Sequence, residues 1–325
     1  MLALHAHSGE IHDPPGDLDA AATLPPDIAW VDLLSPTPAE IGFVERATGL
    51  VLPSFEDLSE IETSSRVRTK NGTLYLSAPL VHRSTADNPQ TTPVGYLLSA
   101  ERLVTVRFEP LTAFNAFSPT AQGAAPEMFV GLVEAIVDRL ADVLENIAAE
   151  LDTLSHRLFR SGPAAPRHRR PAREAADLRL ILRRVGASGD LVSKIRDSLL
   201  GLARIVPFVA GAGAGWLPDT VRPRLDTMRH DIASLSDYDT HLVNKVQLLL
   251  DATLGLINVE QNNIIKVLTI VSVVGVPPTL VASLYGMNFK YMPELDWAWG
   301  YPWGLMLIAL SAIAPVLWFR WRGWF

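Results

Sequence analysis

The sequence predicts an α+β membrane protein: an N-terminal α/β domain, a long helical stalk and two C-terminal transmembrane helices. Three observations carry this expectation. Val267 to Phe289 and Trp297 to Phe319 are uncharged runs, each giving about 34 Å of helix at ~1.5 Å per residue against a hydrocarbon core of ~30 Å. The chain up to about Ala125 alternates short apolar runs with turn residues, and from Glu127 the apolar period becomes helical. Charge divides in the same place: residues 1–265 hold 24 basic and 33 acidic side chains, whereas residues 266–325 hold four and two. The mean hydropathy of +0.19 is thus the average of an acidic body and an apolar hairpin. Neither a single water-soluble fold nor a carrier with many spans fits that division. With no cysteine in the chain, disulfides, thiolate metal sites and cysteine catalysis are excluded.

Along the chain, Met1 to Gly16 has no basic segment leading into a long apolar one, so no cleavable signal peptide is expected. Ile28 to Leu34 reads as a strand. Thr37-Pro38-Ala39-Glu40 then supplies an N-cap, a proline at the first helical position and a capping-box glutamate, for a helix that runs to Thr48 and stops at Gly49. Ser65 to Lys70 and Thr73 to Val81 flank Asn71-Gly72, the signal for a type I′ hairpin. Val94 to Ser99 and Arg102 to Phe108 complete a mixed or antiparallel sheet in a domain spanning 1–125.

Val133, Ile136, Leu140, Val143, Ile147, Leu151 and Leu154 step by three and four, the seam of a long helix that packs on another. Ser161 to Pro166 should break it, helical segments should follow from about Pro171 to Ile205, and Pro207 to Pro218 should break the pattern again. From about Asp219 to Leu284 a single helix of some 66 residues, about 100 Å at ~1.5 Å per residue, is expected to run from a stalk (126–265) into the membrane. The hairpin then occupies 266–325, with spans at about 267–286 and 299–319. Lys266, Arg320 and Arg322 flank its outer ends, whereas Lys290 in the connection stands beside Glu294 and Asp296. The positive-inside rule places both termini in the cytoplasm of a multi-pass inner-membrane protein. Trp297, Trp299, Tyr301 and Trp303 would form one interfacial belt, and Trp318, Trp321 and Trp324 the other.

The first span ends in Tyr285-Gly286-Met287-Asn288-Phe289, followed by Met292-Pro293-Glu294-Leu295 and an aromatic-rich second span. Here the chain resembles the CorA family of magnesium and cobalt channels, whose signature is Gly-Met-Asn at the pore mouth followed by a Met-Pro-Glu-Leu loop. The resemblance extends to Lys266-Val267-Leu268-Thr269-Ile270, Trp30 to Leu34 and Glu60 to Arg66. It implies a homopentamer in the lipid bilayer whose first spans line a path for Mg²⁺, also Co²⁺ and Ni²⁺, with Mg²⁺ as both substrate and regulatory ligand. On that span Asn262, Ile265, Leu268, Ser272, Val276 and Thr279 share a helix face. Gly286, Met287, Asn288 and Thr279 are the expected selectivity region, Leu268 and Val276 the apolar gate, and Glu294 and Asp296 the outer-loop acids. Two departures stand out: Lys290 where many members carry Glu after Asn-Phe, and Val276 where Met is common. The family also implies regulatory Mg²⁺ held between neighbouring cytoplasmic domains, for which Asp251 is the matching stalk aspartate and Asp87 a candidate partner from the adjacent subunit.

Each feature has an alternative. Gly286 and Asn288 also suit an ordinary helix C-cap. The Ser/Thr/Asn face also suits hydrogen bonding between spans. Pro277-Pro278 suits a gating hinge or a tolerated kink. Nine arginines in 157–184 suit a solvated helical turn better than nucleic acid, and His5, His7 and His12 lack a closed metal-ligand set. No phosphate-binding loop and no catalytic triad is present, so no enzyme is expected and the membrane potential should drive uptake. The other functions considered are a zinc transporter of the same superfamily and a membrane-anchored cytoplasmic binding module.

Overall fold

Strand β1 (Leu2–Ala6) pairs with the two-residue β2 (Ile11–His12) and with β3 (Ile28–Leu34) in the computed structural model. The structure describes all residues except 19–22, 61, 85–87, 118–122, 161–170, 289, 291 and 325. Helix α1 (Pro38–Thr48) follows, its N-terminus held by the reciprocal Thr37–Glu40 capping box and its C-terminus by Gly49 at φ 69°. Two short helices, α2 (Phe55–Ser59) and α3 (Thr63–Arg66), lead into β4 (Val67–Lys70), β5 (Thr73–His82), β6 (Gln90–Leu98) and β7 (Leu103–Arg107). Asn71 and Gly72 both have positive φ, 51° and 79°, as a type I′ turn requires. The sheet order is β2-β1-β3-β7-β6-β5-β4, with β3–β7 parallel and every other pair antiparallel.

The two faces of the sheet differ because strand side chains alternate. Leu4, Val31, Leu33, Val104 and Val106 join Phe43 and Val44 of α1 in an apolar core. The other face carries a polar chain. Arg107 donates from Nε and Nη2 to the Asp32 carboxylate at 2.7–3.2 Å. Thr105 donates to Asp32 at 2.7 Å, and Trp30 Nε1 donates to Thr105 at 2.9 Å. Helices α4 (Thr112–Ala116) and α5 (Ala125–Arg160) close over it: Phe114 lies under the Arg107 guanidinium at 4.7 Å and Phe129 meets Tyr96 edge-on.

Three long helices follow the sheet: α5, α6 (Pro171–Ala212) and α7 (Val221–Tyr285), the last of 65 residues. Contacts group Met1–Arg167 with Leu180–Leu250 in one unit and His168–Arg179 with Asp251–Phe325 in a second. Within the first unit, Arg196 of α6 pairs with Asp239 of α7 at 2.8 Å and Lys245 of α7 with Asp152 of α5 at 2.7 Å. The second unit contains the C-terminal part of α7, a 3₁₀ turn at Pro293–Leu295 and α8 (Gly300–Trp321).

Three sequence expectations change. Ser65 and Arg66 end α3 and do not begin a strand, because their N–H groups donate to the Glu62 carbonyl at 3.1 and 3.2 Å. Pro207 lies inside α6 and does not break it. An internal proline costs about 3 kcal/mol, and burial of Ile205, Val206 and Val209 around it offsets that at ~1.5–3 kcal/mol per apolar side chain. The strands at Leu2–Ala6 and Ile11–His12 were missed. The break expected at Ser161 to Pro166 lies outside the described residues.

Candidate functional site

Both α7 and α8 contain an apolar stretch long enough to cross a membrane, with 0% and 6% of that stretch buried. Core helices of a water-soluble protein would be covered, so exposure on this scale favours lipid or partner contact. The two helices are antiparallel neighbours within the second unit. A Cβ on Gly304 of α8 would lie 4.0 Å from the Tyr285 ring, and at the other end Lys266 Nζ sits 5.8 Å from the Trp324 ring centre.

One stripe of α7 is half-buried: Lys266, Ile270, Val274, Pro277, Val281 and Tyr285. Asn262, Ile265, Leu268, Ser272, Val276 and Thr279 are all exposed, with Leu268 at 65% and Val276 at 62%. At ~100° per residue the two stripes are centred about 150° apart. The candidate pore face therefore points away from α8. The Thr279 hydroxyl donates to the Gly275 carbonyl at 2.8 Å, so its proton is committed and its lone pairs remain as acceptors. Pro277 and Pro278 carry no N–H, which leaves the Val273 and Val274 carbonyls without their helical donors, outside this face and toward the half-buried stripe.

Helix α7 ends at Tyr285, without the left-handed glycine cap that was the alternative reading of Gly286 and Asn288. Gly286 donates to the Ala282 carbonyl at 3.0 Å and Met287 to Leu284 at 3.3 Å, yet Gly286 is not among the positive-φ glycines. A Cβ there would meet only the Ala282 and Ser283 carbonyls at 3.4 and 3.6 Å, ordinary contacts. Nothing described within the chain requires glycine at 286. Asn288, Lys290, Glu294 and Asp296 are all exposed around it.

Sequence reasoning missed the residue that shapes this loop. A Cβ on Gly300 would come within 2.1 Å of the Glu294 carbonyl oxygen, a distance no side chain tolerates. The Gly300 N–H also donates to Trp297 at 2.8 Å, so the loop closes tightly over the start of α8. The available signal was Gly300-x-x-x-Gly304, two small residues on one helix face that permit close approach. Beside the loop lies a cavity of about 480 Å³ lined by Tyr285, Gly286, Glu294, Trp297, Tyr301 and Gly304.

Among the described residues no group of three or more His, Cys, Asp or Glu side chains is placed to hold a metal. His5 stacks on Trp30, His7 contacts the Gly123 carbonyl and His12 lies near Asp27. Asp251 is exposed on α7, and Asp87 lies outside the described residues.

The model of the CorA-like Mg²⁺ transporter family matches residues 26–321. The chain belongs to this family. The magnesium transport proteins CorA of Yersinia pseudotuberculosis and Salmonella typhimurium are each 33% identical to it, over 301 and 304 residues, covering 91% and 92% of both chains. The complete CorA structure from Methanocaldococcus jannaschii matches with a TM-score of 0.72 at 18% identity, covering 100% of this chain and 98% of that one. CorA membership accounts for the whole architecture, from the α/β domain through the long helix to the two apolar C-terminal helices.

Proposed function

We propose that the chain is one subunit of a homopentameric inner-membrane channel that admits Mg²⁺, and also Co²⁺ and Ni²⁺, down the membrane potential. The observation that carries the reading is the exposed stripe of α7, turned away from α8 and leading to Gly286, Met287 and Asn288. Two helices cannot enclose a pore, so the stripe of one subunit must face those of others. Along it, oxygen from Asn262, Ser272 and Thr279 alternates with Ile265, Leu268 and Val276. Mg²⁺ releases water reluctantly and favours oxygen ligands. Neutral amide, hydroxyl and carbonyl oxygens at Thr279, Gly286 and Asn288 suit the hydrated ion without stripping it. Apolar rings at Leu268 and Val276 close the path by dewetting. Glu294 and Asp296 attract cations to the mouth, a pull that Lys290 weakens.

Closure by cytoplasmic Mg²⁺ belongs to the same proposal, with Asp251 contributing one carboxylate and a neighbouring subunit another. The deciding experiment is Mg²⁺ flux into liposomes at matched protein content. Asn288→Ala should reduce flux to that of empty liposomes while the oligomer survives; unchanged flux rejects the selectivity site. Competition between Mg²⁺ and Zn²⁺ in the same vesicles identifies the preferred ion, and absence of any flux would leave only a membrane-anchored binding module.

A further inference from the structure

Arg66 belongs to a segment singled out in the sequence, yet the ion path makes no use of it. It lines a cavity of about 490 Å³ in the first unit, together with Arg204 and Asp197 of α6, Phe55 of α2, Pro79 of β5 and Thr91 of β6. Helix α6 approaches the sheet closely beside this cavity because residue 201 is glycine: a Cβ there would lie 2.8 Å from the Ala78 Cβ. The volume falls within the ~300–1,000 Å³ range of small-molecule sites.

The walls have a definite chemistry. Arg66 uses Nε to donate to the Glu60 carbonyl at 3.0 Å. Neither guanidinium forms an ion pair with Asp197 or with any other group among the described residues. Burial and then the neighbouring Arg204 pull Arg66 below the usual arginine range, with Asp197 opposing them in part, so two cations share this space with a single carboxylate in the wall and no direct ion pair. Guanidinium forks match phosphate oxygens in pairs. Phe55 is 50% exposed at the edge and offers a flat apolar surface, while Thr91 and Asp197 are available to hydroxyl or amino groups. Inorganic phosphate alone would leave Phe55 and Pro79 uncovered.

We propose that this cavity binds a nucleoside phosphate, with its phosphate between Arg66 and Arg204 and its base against Phe55. Asp197 accepts a hydrogen bond from the sugar or the base. The site holds no metal-binding cluster and no activated nucleophile, so it binds the ligand without cleaving it, and it does not rest on the transport reading.

The test is calorimetric titration of the full-length chain in nanodiscs, in Mg²⁺-free buffer, with AMP, ATP and inorganic phosphate. Saturable binding of AMP and ATP at one per chain is expected, with inorganic phosphate weaker. Loss of a charge-assisted contact in Arg204→Ala should weaken binding by about tenfold or more, and Phe55→Ala should weaken AMP but not inorganic phosphate. Arg204 and Phe55 are exposed, so both variants should melt as the parent does. Should Arg204→Ala melt early, Arg204→Lys, which keeps the charge and loses the fork, gives the same comparison. No heat with either nucleotide, equal affinity in Arg204→Ala, or inorganic phosphate binding as tightly as AMP would each overturn the proposal.

Discussion

Leu33 and Leu268 are the same side chain in opposite circumstances. Leu33, on β3, is 0% exposed among Leu2, Val106 and the α1 side chains, whereas Leu268, on α7, is 65% exposed. The contrast extends to polar groups. In the sheet, Asp32, Thr105, Trp30 and the Nε and Nη2 groups of Arg107 pair with one another inside the chain. On α7, Asn262, Ser272 and the Val273 carbonyl have only a neighbour or a solvent to turn to. Among the described residues the α/β domain thus supplies most of the partners its buried polar groups need, although Tyr96 Oη and Arg107 Nη1 are left without one, whereas α7 supplies only part of what its apolar segment needs. Stability is determined locally in the first region and by what surrounds the chain in the second.

Arg107→Ala should show the largest effect on the first region, because it leaves the Asp32 carboxylate buried and uncompensated, at a cost of about 3–5 kcal/mol. Hydrogen exchange of the β3 and β7 amides measures it, and retained protection would show that the pair is not structural. Leu33→Ala and Leu268→Ala test the comparison directly. The first should lower domain stability by about 2–5 kcal/mol, whereas the second should leave the domain's melting unchanged and, under the proposed dewetting gate, increase ion leak. Equal destabilisation by both would erase the distinction drawn between the regions. Gly300→Ala should have a smaller but informative effect. A Cβ there forces the Glu294 carbonyl to move, so half-saturating Mg²⁺ for flux should rise while melting of the α/β domain stays put. An unaltered concentration dependence would show that the loop position is not fixed by Gly300.

Much of this was legible in the sequence wherever local chemistry decides the outcome. Thr37 and Glu40 cap α1, Asn71-Gly72 turns the hairpin, and the long apolar runs give the C-terminal helices, each through residues close together in the chain. What failed depended on distant partners. Pro207 reads as a helix breaker until the burial of Val206 and Val209 is known. Leu2–Ala6 is a short strand made recognisable by its pairing with β3. At the candidate site, spacing put Asn262, Ile265, Leu268, Ser272, Val276 and Thr279 on one side of α7, where they are exposed; their part in a pore is the proposal made above. The tight contact between Gly300 and Glu294 was not legible, because it depends on how the loop folds back.

The oxygen-bearing stripe of α7 also bears on the life history of the protein. Backbone carbonyls and polar side chains are costly in hydrocarbon, at several kcal/mol for each unsatisfied group. In the proposed oligomer, a newly inserted subunit would expose to lipid the groups that it later turns toward other subunits. Such an orphan is a poor membrane resident and a ready substrate for quality-control proteases. Its survival after synthesis should depend on how soon it meets its own kind, so that turnover of the chain is set by expression level as well as by sequence.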